Sequence, residues 1–265
     1  DLRRYNVIIM PSGYLEMSDY EVNALNDWIK QGGTLIAHNR SSRFIATNET
    51  LGDVKQLQDV LDKSIDYNFD LLREIYALED NLDQEAALKH IVDLETTYPW
   101  ELNETNYSED ELKNRDKWQS IFMPSGAFVA GRTDQKHWLT FGTPKTLPVL
   151  YGNYPVLMTG NNAEAPIRIG ELVENSDVNE FRTINWSTLP AGKDIKVRMS
   201  GLVWPEAAQR IANSAYLTRE QVGKGQIILF AGEPNFRGST RGTNRVWLNA
   251  IVYGPGLGTS PRIQL

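Results

Sequence analysis

The sequence predicts an α/β fold built on a parallel sheet with helices on both faces, and three observations carry that prediction. A short apolar strand, Asn6-Val-Ile-Ile-Met10, is followed by the turn Pro11-Ser-Gly13, an amphipathic helix over 19–31 and a second apolar strand over 34–37. Strand–helix–strand at this length implies a right-handed βαβ unit. The second strand then breaks sharply at His38-Asn39-Arg40-Ser41 into another helix, and open α/β sheets place their chemistry at such strand ends. Finally, a buried strand over 226–231 and a helix over 243–253 return to the same texture near the C-terminus.

Taken in order, the first helix opens on Ser18-Asp-Tyr-Glu21, the pattern of a capping box in which each side chain satisfies a free backbone N–H. Val22, Leu25, Trp28 and Ile29 then share one face, and Gly32-Gly33 stops the helix. The run Thr34-Leu-Ile-Ala37 is continuously apolar, as a strand covered on both faces should be.

From Asp53 to Lys117 the texture turns helical and strongly acidic, with 18 acidic and 7 basic residues in a chain whose net charge is −7. That asymmetry marks a helical insertion over 53–117 with its acidic face in water. Val54, Leu57, Val60 and Leu61 form a first apolar stripe; Phe69, Leu72, Ile75, Tyr76 and Leu82 a second; Ala87, Leu88, Ile91, Val92 and Leu94 a third. The stripes are too short for sustained heptads.

A β-rich section over 121–203 follows, with short apolar runs broken by Gly, Pro and Asn. Residues 215–222 read as a strand, Gly223-Lys-Gly225 as a tight turn, and Gly254-Pro255 as the stop of the last helix. The whole reads as one domain over 1–255 with a loose tail over 256–265.

Composition narrows the function classes. The chain has 265 residues, enough for a large core. It has no cysteine, which removes disulfides, thiolate metal sites and cysteine nucleophiles together. A net charge of −7 argues against nucleic acid as a partner. No apolar run is long enough to span a bilayer, and the opening residues lack the layout of a signal peptide, so the chain reads as a domain cut from a longer one. Three scattered histidines, His38, His90 and His137, show no metal-ligand spacing. Of the seven tryptophans, Trp28 and Trp247 fall on apolar helix faces and read as core.

Two resemblances sharpen this. YNVIIMPSG, a helix, GGTLIA and an elbow resemble the class I glutamine amidotransferase-like fold, of flavodoxin-like type. In that family the elbow reads roughly Gly-x-Cys-x-Gly-x-Gln. Aligning GGTLIAHNRSSRFIA places Asn39 at the nucleophilic cysteine, Ser41 at the following glycine and Arg43 at the glutamine. The nucleophile is missing, and the family's His-x-Glu near the C-terminus is missing too.

The second resemblance covers nearly the whole chain and is to the C-terminal domains of bacterial secreted zinc carboxypeptidases of the carboxypeptidase A clan. Pro124-Ser-Gly126 and His137-Trp-Leu-x-x-Gly142 match recurring elements there, with Trp138 replacing a proline. So do Ser200-Gly201, Trp204, Gly223, Gly225, Pro234, Phe236, Arg237, Asn249 and Ala250. The resemblance implies a periplasmic or secreted accessory domain, a pseudoenzyme serving folding, oligomerisation or substrate presentation. Its zinc would sit in a separate upstream peptidase domain, since no histidine here heads a His-x-x-Glu, and no cofactor is expected in this chain.

Candidate site residues follow from the elbow. The Asn39 amide could bind a ligand over the next helix N-terminus, or Asn could be kept there because it tolerates a left-handed backbone. His38 could act as a general base. Ser41 could replace the lost thiol as a residual hydrolase, or it and Ser42 could cap the helix. Arg40 completes the degenerate elbow. Glu233 and Arg237 flank the end of a neighbouring strand and would share the rim with Asn39, as a site for a small ligand, peptide or sugar, unless Arg237 only ties loops together.

Overall fold

The computed structural model describes residues 1–78, 108–175, 183–257 and 259. β1 (Val7–Met10) pairs in parallel with β2 (Thr34–His38), Val7 opposite Thr34 and Met10 opposite Ala37. Between them α1 (Asp19–Lys30) starts on the expected capping box: the Glu21 carboxylate accepts from the Ser18 N–H at 2.8 Å, and Ser18 Oγ accepts from the Glu21 N–H at 3.4 Å. Such caps are worth about 1 kcal/mol. Val22, Leu25, Trp28 and Ile29 bury the inner face, and Gly32 ends the helix at φ 112°. Every residue of β2 is buried. α2 (Arg40–Thr47) leaves β2 after a single intervening residue, Asn39.

The next segment corrects an expectation. Val54, Leu57, Val60 and Leu61 are buried, but they lie along β3 (Lys55–Gln56) and two 3-10 turns (Leu57–Asp59 and Leu61–Lys63), not on an α-helix. A three-residue spacing such as 54, 57 and 60 suits the period of a 3-10 turn as well as it suits one helix face. α3 (Ser64–Leu78) buries Leu71, Leu72 and Ile75. α4 (Glu109–Ser120) opens on a second capping box, from Ser108 and Glu111. The third expected stripe, Ala87 to Leu94, together with Leu82, His90 and Trp100, lies outside the described residues.

The β-rich section supplies β4 (Ala127–Thr133), β5 (Thr146–Tyr151), β6 (Leu157–Met158), β7 (Ala163–Ile169) and β8 (Glu171–Glu174). It continues with β9 (Thr183–Ile184), β10 (Ser187–Thr188), β11 (Lys193–Lys196) and β12 (Arg198–Ser200). Then come α5 (Pro205–Ile211), β13 (Ala215–Val222), β14 (Gly225–Phe230) and α6 (Arg241–Tyr253).

The main sheet runs β1-β2-β14-β13-β7-β4-β12, with β5 on β4 and the short β3–β6 pair joined to β13. Its first three strands are parallel. From β14 onward the neighbours are antiparallel. The structure is thus a mixed α/β fold, and the expected parallel sheet is confined to one end. The reason is local: β13 and β14 are joined through Gly223 and Lys224 alone, with Val222 opposite Gly225. A connection that short can join only antiparallel neighbours, because a parallel crossover needs a dozen residues or more. One hydrophobic core links the parallel and antiparallel parts, from Ile36 and Leu229 to Val149 and Ile167.

Several residues that carry the carboxypeptidase-domain resemblance are architectural. Gly225 lies so close to the end of α1 that an added Cβ would stand 2.0 Å from the Ile29 carbonyl oxygen and 2.3 Å from that of Gly33. The Pro234 carbonyl accepts from the Thr240 and Thr243 hydroxyls. Asn249 Nδ2 donates to the Leu139 and Phe141 carbonyls, both at 2.9 Å, tying α6 to the turn that His137 begins.

Candidate functional site

The C-terminal ends of the three parallel strands converge on the elbow. Asn39 sits at φ 53° and ψ −115°, outside the left-handed helical basin that asparagine ordinarily tolerates. Backbone of this kind costs on the order of 1–3 kcal/mol and persists only where its surroundings fix it. Here they do: the Asn39 N–H donates to the Phe230 carbonyl at 3.0 Å, extending the β2–β14 ladder, and the Asn39 carbonyl accepts from the Arg43 N–H as the first bond of α2. The surroundings therefore hold a sharp corner with an amide at its apex.

That amide is engaged. Asn39 Nδ2 donates to Glu233 Oε1 at 3.3 Å, so the structure brings together two of the three rim candidates. Arg237 does not join them. It adopts a left-handed backbone (φ 50°, ψ 19°), stacks its guanidinium 5.1 Å over the neighbouring Phe236 ring, and donates no hydrogen bond among the described residues. Among the described residues it therefore ties no loops together by hydrogen bonds. Arg40 begins α2 and is exposed.

Ser41 and Ser42 are fully buried inside α2 and do not cap it. Ser41 Oγ donates to the Pro11 carbonyl at 2.5 Å, and Ser42 Oγ donates to the Phe230 carbonyl at 2.8 Å. Both hydroxyls pin α2 to the ends of β1 and β14, and neither is hydrogen-bonded to a base. A serine nucleophile needs such a base within reach.

His38 closes the core side of the elbow. Its ring meets Trp247 edge to face at 5.4 Å, Trp247 meets Phe230 at 5.6 Å, and Nδ1 is buried with no hydrogen-bond partner among the described residues. Burial lowers its pKa below the ordinary histidine value, opposed in part by the Glu233 carboxylate. The imidazole is neutral at neutral pH and serves as an aromatic core group.

This has a measurable consequence. The unfolded chain takes a proton at His38 near pH 6.5, whereas the native state resists it until lower pH. Stability from this residue is present above about pH 6.5 and falls as pH drops through the window down to the lowered native value, by at most about 1.4 kcal/mol per pH unit. Urea midpoints of wild type and His38→Phe measured at pH 7.5 and 5.5 should show the larger drop in wild type. Equal drops would contradict the assignment.

Two tyrosines that sequence reading did not single out complete the rim. Gly232 has no side chain, and an added Cβ would lie 2.9 Å from Tyr154 and 3.1 Å from Tyr216. Both rings therefore crowd the strand end beside Glu233. Burial raises both phenols, and the Glu233 charge adds to the effect. Tyr216 Oη is buried without a partner among the described residues.

Among the described residues no group of three or more His, Asp or Glu side chains could hold a metal ion, and no helix is long and apolar enough to cross a membrane. His137, the third histidine, accepts from the Leu139 N–H at 3.1 Å and faces Glu164 at 3.3 Å. Trp28 is buried and donates to the Tyr5 carbonyl, while Trp118 and Trp204 are each about half exposed.

No family model matches the chain, and no curated protein matches it. Among solved structures, a cytoplasmic protein from Salmonella typhimurium superposes with a TM-score of 0.38 at 11% identity, over 95% of this chain and 72% of that one. A likeness that distant carries no argument.

Proposed function

We propose that this chain is a non-catalytic accessory module, an amidotransferase-like α/β domain whose elbow has lost its chemistry. One observation carries the reading. The elbow backbone is held in its strained form with Asn39 at the apex, its amide given to Glu233, and both nearby serine hydroxyls donate to main-chain carbonyls. The corner keeps the geometry that presents a nucleophile and offers none.

The flavodoxin-like part of this reading rests on β1, β2 and β14 with α1 and α2; the antiparallel strands beyond β14 are then an elaboration on that core. The parent would be a secreted or periplasmic zinc carboxypeptidase-like protein, its zinc in a separate upstream domain. The motif residues over 124–142 and 200–250 favour that context. The Ser200-Gly201 element, for instance, lies where Gly201 at φ 87° packs against Ala127.

Turnover of p-nitrophenyl acetate by wild type and Ser41→Ala tests the non-catalytic reading. Both should match the rate of a histidine-free control protein of equal concentration. A wild-type rate at least tenfold above background that disappears in Ser41→Ala would overturn it and restore the residual-hydrolase alternative.

A further inference from the structure

We propose that the cleft flanking the elbow on its α2 side is a binding site for a small carboxylate. The cleft encloses about 210 Å³ and is lined by Arg43, Gln58, Ser120, Asn153, Tyr154 and Arg210, among others. Arg43 stands one helical turn beyond Asn39, and the Tyr154 ring packs over Gly232, so the cleft shares a wall with the elbow.

Charge sets this cleft apart. The protein carries a net charge of −7, yet two guanidiniums line the cleft and no carboxylate does. The other two clefts described are lined by Asp70, Glu74, Asp134 and Glu164 in one case and by Glu49, Asp53 and Asp59 in the other. Arg210 is built in. It is 7% exposed, and Asp116 from α4 holds its Nε and Nη2 at 2.8 and 3.1 Å, leaving Nη1 without an acceptor among the described residues. The ion pair fixes the plane of the guanidinium and cancels its charge.

Arg43 supplies a charge that no carboxylate pairs with among the described residues. Its guanidinium donates no hydrogen bond among the described residues, and neither does the hydroxyl of Tyr154, which lines the same cleft and, like any phenol, keeps its proton at neutral pH. A guanidinium matches a carboxylate bidentately. One cation unpaired among the described residues, with neutral donors from Tyr154 and Asn153, suits a small monoanion, and the buried Leu57 and Val156 leave the lining largely polar.

The test is titration of the protein with butyrate, butyramide and inorganic phosphate, followed through backbone amide chemical shifts. Butyrate should give saturable shifts at Arg43, Asn153 and Tyr154, with butyramide at least tenfold weaker. Arg43→Gln should weaken butyrate about tenfold, the size of one charged hydrogen bond, while its thermal melt stays at the wild-type value because Arg43 is exposed. Absence of saturable shifts, equal binding of butyramide, or unchanged affinity in Arg43→Gln would overturn the site. Phosphate binding more tightly than butyrate would overturn the carboxylate class. The readout is binding, so none of these failures touches the catalytic silence of the elbow.

Discussion

Replacing Glu74 by alanine is expected to destabilise the protein by about 3–5 kcal/mol, the cost of leaving a buried charge without its partner. Arg132 on β4 and Arg168 on β7 are direct cross-strand partners, and like charges so placed oppose pairing. Glu74 from α3 resolves the conflict, accepting from Arg168 Nε at 2.7 Å and Nη2 at 2.5 Å. Arg168 is 3% exposed and also donates to the Asn213 carbonyl and Thr159. Asn213, itself in a left-handed backbone at φ 60°, accepts from Arg132 through Oδ1. Loss of water pushes the Arg132 pKa down to about 10, and Glu74 opposes that shift. Glu74→Ala would leave both arginines without it. Urea unfolding followed by circular dichroism measures the loss, and Glu74→Gln should fall between the alanine variant and wild type. A loss below about 1 kcal/mol, the range of exposed ion pairs, would show that the network contributes little.

Gly225→Ala should be as damaging, by about 3 kcal/mol or more, at or above the upper end of overpacking costs. The added carbon would meet two backbone carbonyl oxygens, at 2.0 and 2.3 Å, and backbone cannot rotate aside as a side chain can. One of them, Gly33 O, accepts from the Gln226 N–H at 3.1 Å where β14 begins. Relief of the clash therefore pulls β14 from β2 at the join between the parallel and antiparallel parts. Gly13→Ala is the control. Its Cβ would find nothing nearer than 3.8 Å, and its effect should stay within about 0.5 kcal/mol. Similar melting curves for the two variants would contradict the account of the join.

The parallel end of the sheet was legible because its determinants are local. Ser18 and Glu21 set the start of α1, the apolar run 34–37 set β2, and the corner after His38 placed Asn39 at the apex. The strand 215–222 coincides with β13. The antiparallel part was harder to read, because its pairings join segments far apart in sequence. Even so, Gly223-Lys-Gly225 already required β13 and β14 to run antiparallel, which rules out a wholly parallel sheet. Ser108 and Glu111 repeat the capping pattern of Ser18 and Glu21 at the start of α4, a local signal that reading 53–117 as one acidic insertion passed over.

The site was legible in its backbone and not in its partners. Asn39, Glu233 and His38 were named from strand ends, but the engagement of Ser41 and Ser42 depends on Pro11 and Phe230 carbonyls, 30 and 188 residues away in the chain. Glu74 reads as one more charge on an acidic helix until Arg168, 94 residues on, is placed beside it. Arg210 and Asp116, equally separated, hide the cleft beside the elbow in the same way.

The central claim is that the elbow holds no reactive hydroxyl. Intact-mass spectrometry after incubation with a fluorophosphonate, which adds covalently to activated serines, tests it most directly. The account predicts no adduct at the elbow at any time at which a serine hydrolase control is fully labelled. A stoichiometric adduct mapped to Ser41 or Ser42 would contradict it.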